Sequence, residues 1–161
     1  MTADEQIARV DRTVRQLLNE VESLPADVLY GEPEPGEWPV MSTLAHLAEL
    51  LPYWAHEAAD LASNPGRPVG RTHEDPQRLG AIEEHSRDSL ADILPRIRQG
   101  LEDCLATLRT IPEEGWGSAG PHVRGYSITP REMVERFVVH HAEEHASQIH
   151  ATLGVLRAAQ A

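Results

Sequence analysis

His141 and His145 stand four residues apart in Val138-Val-His-His-Ala-Glu-Glu-His-Ala-Ser-Gln-Ile149, and His46 lies alone in an earlier apolar stretch. Residues i and i+4 project from one side of a helix, so the pair can aim two imidazole nitrogens at one point. Two imidazoles can grip a divalent cation, and a third from a facing helix leaves coordination positions for water or substrate. His46, His141 and His145 are therefore the candidate metal ligands. Glu49 follows His46 by about one helical turn and is the candidate catalytic carboxylate. It can accept an imidazole N–H or act as a general base on a water. Gln148, one turn beyond His145, can orient that ring or simply pack. The alternative for each histidine is a hydrogen bond to Glu, Gln or backbone, because a buried imidazole without a partner costs stability.

Positioning these side chains requires helices. Apolar residues recur at three-and-four spacing through Ile7, Val10, Val14, Leu17, Leu18 and Val21, predicting a helix over about 4–24 that Pro25 ends. Residues 30–39 hold three prolines and two glycines and read as a loop. A second helix begins near Pro39, carries His46, and ends around 63–66, with a kink expected at Pro52. A polar crossover over 64–76 leads to a third helix over about 76–110, which Pro95 should bend or interrupt. After a Gly-rich loop, Thr129-Pro-Arg-Glu132 forms a capping box with proline at the first helical position, opening a fourth helix. At about 100° per residue, with Val134 at zero, His141 falls near −20° and His145 near +20°. Both then lie in the apolar stripe with Phe137 and Val138, while His140 and His150 point elsewhere. Tyr53 and His56 are read as a core aromatic and a surface residue. No strand pattern or internal repeat is present, so the expected fold is all-α: one four-helix bundle domain over 1–161 with a long crossover connection.

Composition narrows the chemistry. The net charge is −12 and no lysine occurs, so nucleic acid and anionic membrane surfaces are not expected partners. The single cysteine, Cys104, sits in an apolar run and is expected in the core. With no internal disulfide to form and no apolar leader in Met-Thr-Ala-Asp-Glu-Gln, a cytoplasmic location is expected. The chain contains no Glu-x-x-His, His-Glu-x-x-His, Gly-rich phosphate loop or Gly-x-Ser-x-Gly elbow. Di-iron bundles, zincins, nucleotide binding and α/β-hydrolase chemistry are thereby set aside.

Three segments together resemble the DinB-like (YfiT-like) superfamily: Trp38-Pro-Val-Met-Ser-Thr-Leu-Ala-His46, Tyr126-Ser-Ile-Thr-Pro-Arg-Glu-Met, and His141-Ala-Glu-Glu-His145-Ala-Ser-Gln-Ile149. The resemblance covers nearly the whole chain. It departs from the family pattern at Pro39, Ala142 and Ala146-Ser147, none of which is a candidate ligand. The resemblance implies a four-helix bundle that is often a homodimer. It also implies one divalent ion, commonly nickel or zinc, on His46, His141 and His145. The activity it implies is transfer of a low-molecular-weight thiol cosubstrate to a small molecule, or hydrolysis. A non-catalytic metal-binding or stress-response protein is the alternative.

Overall fold

The computed structural model describes residues 1–160. The first helix, α1 (Ala3–Val21), starts at a reciprocal cap: the Glu5 amide donates to the Thr2 hydroxyl, and the Thr2 amide donates to the Glu5 carboxylate. Its stripe from Ile7 to Val21 is buried, as the spacing predicts. α2 (Val40–Ser63) follows the Pro-rich loop and continues as helix through Pro52. Proline at 52 removes the amide that would bond the Ala48 carbonyl. Gly100 packs against that carbonyl: a Cβ at 100 would lie 2.8 Å from the Ala48 oxygen. The absent side chain lets the facing helix approach α2 at its proline.

The stretch predicted as one helix over 76–110 is two: α3 (Pro76–His85) and α4 (Leu90–Arg109). Pro95 lies inside α4 and does not interrupt it. The break falls upstream, where the Ser89 hydroxyl accepts from the Asp92 amide and starts a new helix. The Ser86 hydroxyl donates to the Glu83 carbonyl at the end of α3, and the His85 ring bonds Asp88. Local capping therefore outweighs the continuous apolar periodicity across this segment. A further departure is a minimal antiparallel ladder, β1 (Gly120–Pro121) with β2 (Ser127–Ile128), too short to leave a two-residue alternation in the sequence.

The last rod has three parts. α5 (Pro130–Val134) begins at the predicted Thr129–Glu132 capping box. A π-helical turn (Glu135–Val139) follows, and α6 (His140–Ala159) completes the rod. Glu135 and His140, at the two junctions, both keep right-handed helical dihedrals, so the three parts form one continuous helix. Four rods thus pack together: α1, α2, α4 and the α5–α6 rod, with α3 on the crossover. α2 and α4 make the broadest helix–helix contact. Met41, Leu44, Leu47, Leu51, Ile97, Leu101 and Leu105 fill the centre and are fully buried. Cys104 lies among them, and burial pushes its thiol up to about 12. No helix among the described residues is long and apolar enough to cross a membrane.

Candidate metal centre

The fold brings the three singled-out histidines together. Their ring centroids lie 5.4 Å (His46–His141), 5.0 Å (His46–His145) and 4.6 Å (His141–His145) apart. One ring nitrogen from each falls within 4.8 Å of the others. His46 comes from α2 and is 1% exposed, whereas His145 on α6 is 8% exposed and His141 is half-buried.

The π turn sets how α6 presents its pair. Counting about 100° per residue straight through the rod puts Val134, His141 and His145 in one line. A π turn accommodates one extra residue, which rotates everything after it by about 100°. The core-facing line of α6 therefore runs through Ala142, Ile149 and Leu153, all buried. His141 and His145 are not centred in the apolar stripe, as the unbroken count predicts. They stand at its edge, on the side that Gln148 and Thr152 share.

The hydrogen bonds assign the imidazole tautomers. His46 Nδ1 lies 2.8 Å from Glu49 Oε1. An ionised carboxylate only accepts, so Nδ1 carries the proton and Nε2 the lone pair. His145 Nδ1 lies 3.1 Å from Gln148 Oε1, with the same consequence. Both Nε2 atoms are buried and have no hydrogen-bond partner. Two orphaned lone pairs beside a third imidazole are costly in a neutral cavity and fit a cation, which answers both at once. Burial lowers the pKa of His46, against the opposing pull of Glu49. Burial, followed by repulsion from His145 and His46, brings His141 down to about 3, and burial with His46 brings His145 to about 4. Each shift favours the neutral ring, the form that ligates metals.

Glu49 sits behind His46 rather than in front of the cluster. Arg71 Nη2 donates to both of its oxygens, at 2.7 and 2.8 Å. Arg71 itself is buried, with its guanidinium 3.8 Å from the centre of the Tyr53 ring. Tyr53, read as a core aromatic, is half-buried in this stack, and its hydroxyl is pushed up to about 12 by burial. His56 is exposed and pairs with Asp103. Sequence reasoning missed Arg71, because an arginine in a polar crossover loop carries no periodic signal.

In front of the rings lies an open cleft of about 610 Å³. Its walls are the 33–38 loop, α3 and α6, with Trp38, His73, Arg78, Gln148 and Thr152 among the lining side chains. Trp38 meets His46 edge-on at 5.5 Å, and Arg78 lies 5.5 Å over the Trp38 ring. The arrangement has three imidazoles and an opening, whereas a structural zinc site has four protein ligands and is closed.

The family model described as the DinB superfamily matches residues 9–149. The chain belongs to the DinB superfamily. Solved structures agree with the fold of this DinB protein. YfiT from Bacillus subtilis, described as a probable metal-dependent hydrolase with an unusual four-helix bundle topology, superposes with a TM-score of 0.74 at 19% identity. That match covers 94% of this chain and 87% of YfiT. A mycothiol-dependent maleylpyruvate isomerase gives a TM-score of 0.75 at 12% identity, over 92% of this chain and 61% of the isomerase. A histidine-to-alanine mutant of a mycothiol-dependent maleylpyruvate isomerase gives 0.69 at 14% identity, over 88% of this chain and 60% of the mutant. A search of curated proteins finds no match.

Proposed function

We propose that His46, His141 and His145 hold one divalent metal ion and that the protein is a metal-dependent enzyme acting on a small molecule in the adjoining cleft. The observation that carries this reading is the pair of buried, unpartnered Nε2 atoms, on His46 and His145, beside His141 at the floor of an open cavity. Three imidazoles suit nickel or zinc, among the first-row metals. A cation bound there supplies Lewis acidity and lowers the pKa of a water or thiol. Glu49 acts as a positioning residue: it holds the Nδ1 proton of His46 and so keeps Nε2 free to ligate. Arg71 engages both Glu49 oxygens and keeps that carboxylate aimed at the ring. The similarity to a mycothiol-dependent isomerase supports transfer of a low-molecular-weight thiol, and the similarity to a probable hydrolase supports hydrolysis.

Purified protein should contain about one divalent ion per chain, by the three-ligand logic, and His145→Ala should contain none. Elemental analysis of the two side by side decides it, and equal metal content in both removes the site. Metal-loaded protein is then assayed against a panel of thiols with electrophilic acceptors and a panel of esters and amides. Turnover with a thiol selects the transferase, turnover without one selects the hydrolase, and silence in both selects a non-catalytic binding protein.

A further inference from the structure

Two arginines flank the histidine cluster, and they are in opposite circumstances. Arg71 is ion-paired, with Glu49 on Nη2 and Asp75 at 3.9 Å from Nη1. Arg78 lines the open cleft and forms no ion pair among the described residues. The one hydrogen bond of its guanidinium runs from Nη1 to the His73 carbonyl at 2.8 Å, leaving Nε and Nη2 free. The indole of Trp38 lies under the guanidinium, its ring centre 5.5 Å from Cζ. A half-buried, unpaired guanidinium is unusual in a chain with net charge −12, where acidic partners are plentiful. It is the one arginine lining the cleft, and Glu37 on the rim is the one carboxylate.

We infer that the substrate of this cleft is a small carboxylate, its charged end held by the free edge of Arg78 and its reacting end at the histidine cluster. This rests on the metal reading above and adds the substrate class to it. A planar guanidinium with two adjacent N–H groups free matches a carboxylate in two-point geometry. A single arginine in a cleft whose rim carries a carboxylate suits a singly charged group better than a phosphate dianion. The apolar wall of Trp38, Ala151 and Val155 then accommodates a short carbon chain between the two ends.

The test uses cobalt(II)-loaded protein and two hydroxamates of equal length, succinic monohydroxamate and butyrohydroxamate, which differ only in the terminal carboxylate. Binding is read from the visible cobalt spectrum. Wild type should bind the charged probe about tenfold tighter. Arg78→Met should abolish that preference while leaving butyrohydroxamate affinity unchanged, which also shows that the variant is folded. Equal binding of the two probes by wild type, or a preference that survives Arg78→Met, overturns the inference. Failure of cobalt to bind would instead sink the metal reading. In that case the anion site is read from tryptophan fluorescence of the metal-free chain titrated with succinate: a response weakened by Arg78→Met supports it, and an unchanged response overturns it.

Discussion

His46 on α2 and the His141–His145 pair on α6 face the same point but are supported differently. His46 is backed by a buried charged stack in which Glu49 holds the ring, Arg71 holds Glu49, and Tyr53 lies beneath Arg71. The α6 pair has one neutral partner, the solvent-exposed Gln148, which reaches only His145. No hydrogen bond fixes His141 among the described residues. Its position comes from the helix itself, through the π turn that rotates α6 by about 100°. One half of the site is therefore held by long-range electrostatics and the other by backbone register. Mutations should separate the two.

The largest difference should appear in stability. Glu49→Ala leaves the buried Arg71 charge with only Asp75, 3.9 Å from Nη1, and should cost about 3 kcal/mol of unfolding free energy. Gln148→Ala removes an exposed neutral partner and should stay within about 0.5 kcal/mol. Urea denaturation of the metal-free chain measures both; equal costs would mean the α2 support is no stronger than that on α6.

Metal affinity should show the same order less steeply. Glu49→Gln keeps the shape but weakens the hold on the Nδ1 proton, and should loosen the ion by about 10- to 100-fold. Gln148→Ala should lose less than about tenfold, because one ring keeps its helix-given position. Competition with a chromogenic chelator reads both constants, and a larger loss at Gln148 would reverse the assignment of the anchored side.

Acid should act mainly through α6, where the larger pKa shifts lie. Both histidines of the pair have folded-state pKa values far below the ordinary 6.5, at about 3 and about 4. Above pH 6.5 folded and unfolded chains are equally deprotonated there, and stability does not depend on these groups. Between about 6.5 and 4 the unfolded chain takes up protons that the folded chain refuses. Stability therefore falls as pH drops, by at most about 1.4 kcal/mol per pH unit for each ring. For the loaded protein, the same shifts move proton competition for the metal from the pH of roughly 6 that free imidazole would set down toward 4. Replacing His141 and His145 with glutamine should flatten the acid limb of the stability curve, and His46→Gln should flatten it less. An unchanged limb in the double variant would show that the acid sensitivity arises elsewhere, with His122 the next buried imidazole to examine.

Much of this could be read along the chain. The capping box at Thr129, the buried stripe of α1 and the i, i+4 spacing of His141 and His145 are short-range patterns, and each appears as the residue types require. The break at Ser86–Ser89 was also locally encoded, but its cap was hidden beneath apolar periodicity running on both sides. The π turn left no legible mark: its residues, Glu-Arg-Phe-Val-Val, suit an ordinary helix, and the extra residue is accommodated only because both flanking segments must pack against the same core.

Amino-acid order alone determined the helices, their caps, an acidic chain without lysine and two imidazoles on one face. Tertiary packing decided that His46 meets that pair, that Arg71 reaches back from the crossover to clamp Glu49, and that Arg78 is left unpaired over Trp38. The division has a physical cause. Helices and caps are set by hydrogen bonds spanning three or four residues, which a linear sequence displays directly. The meeting of α2 with α6 depends on how whole rods fill volume against each other, and no local pattern encodes that.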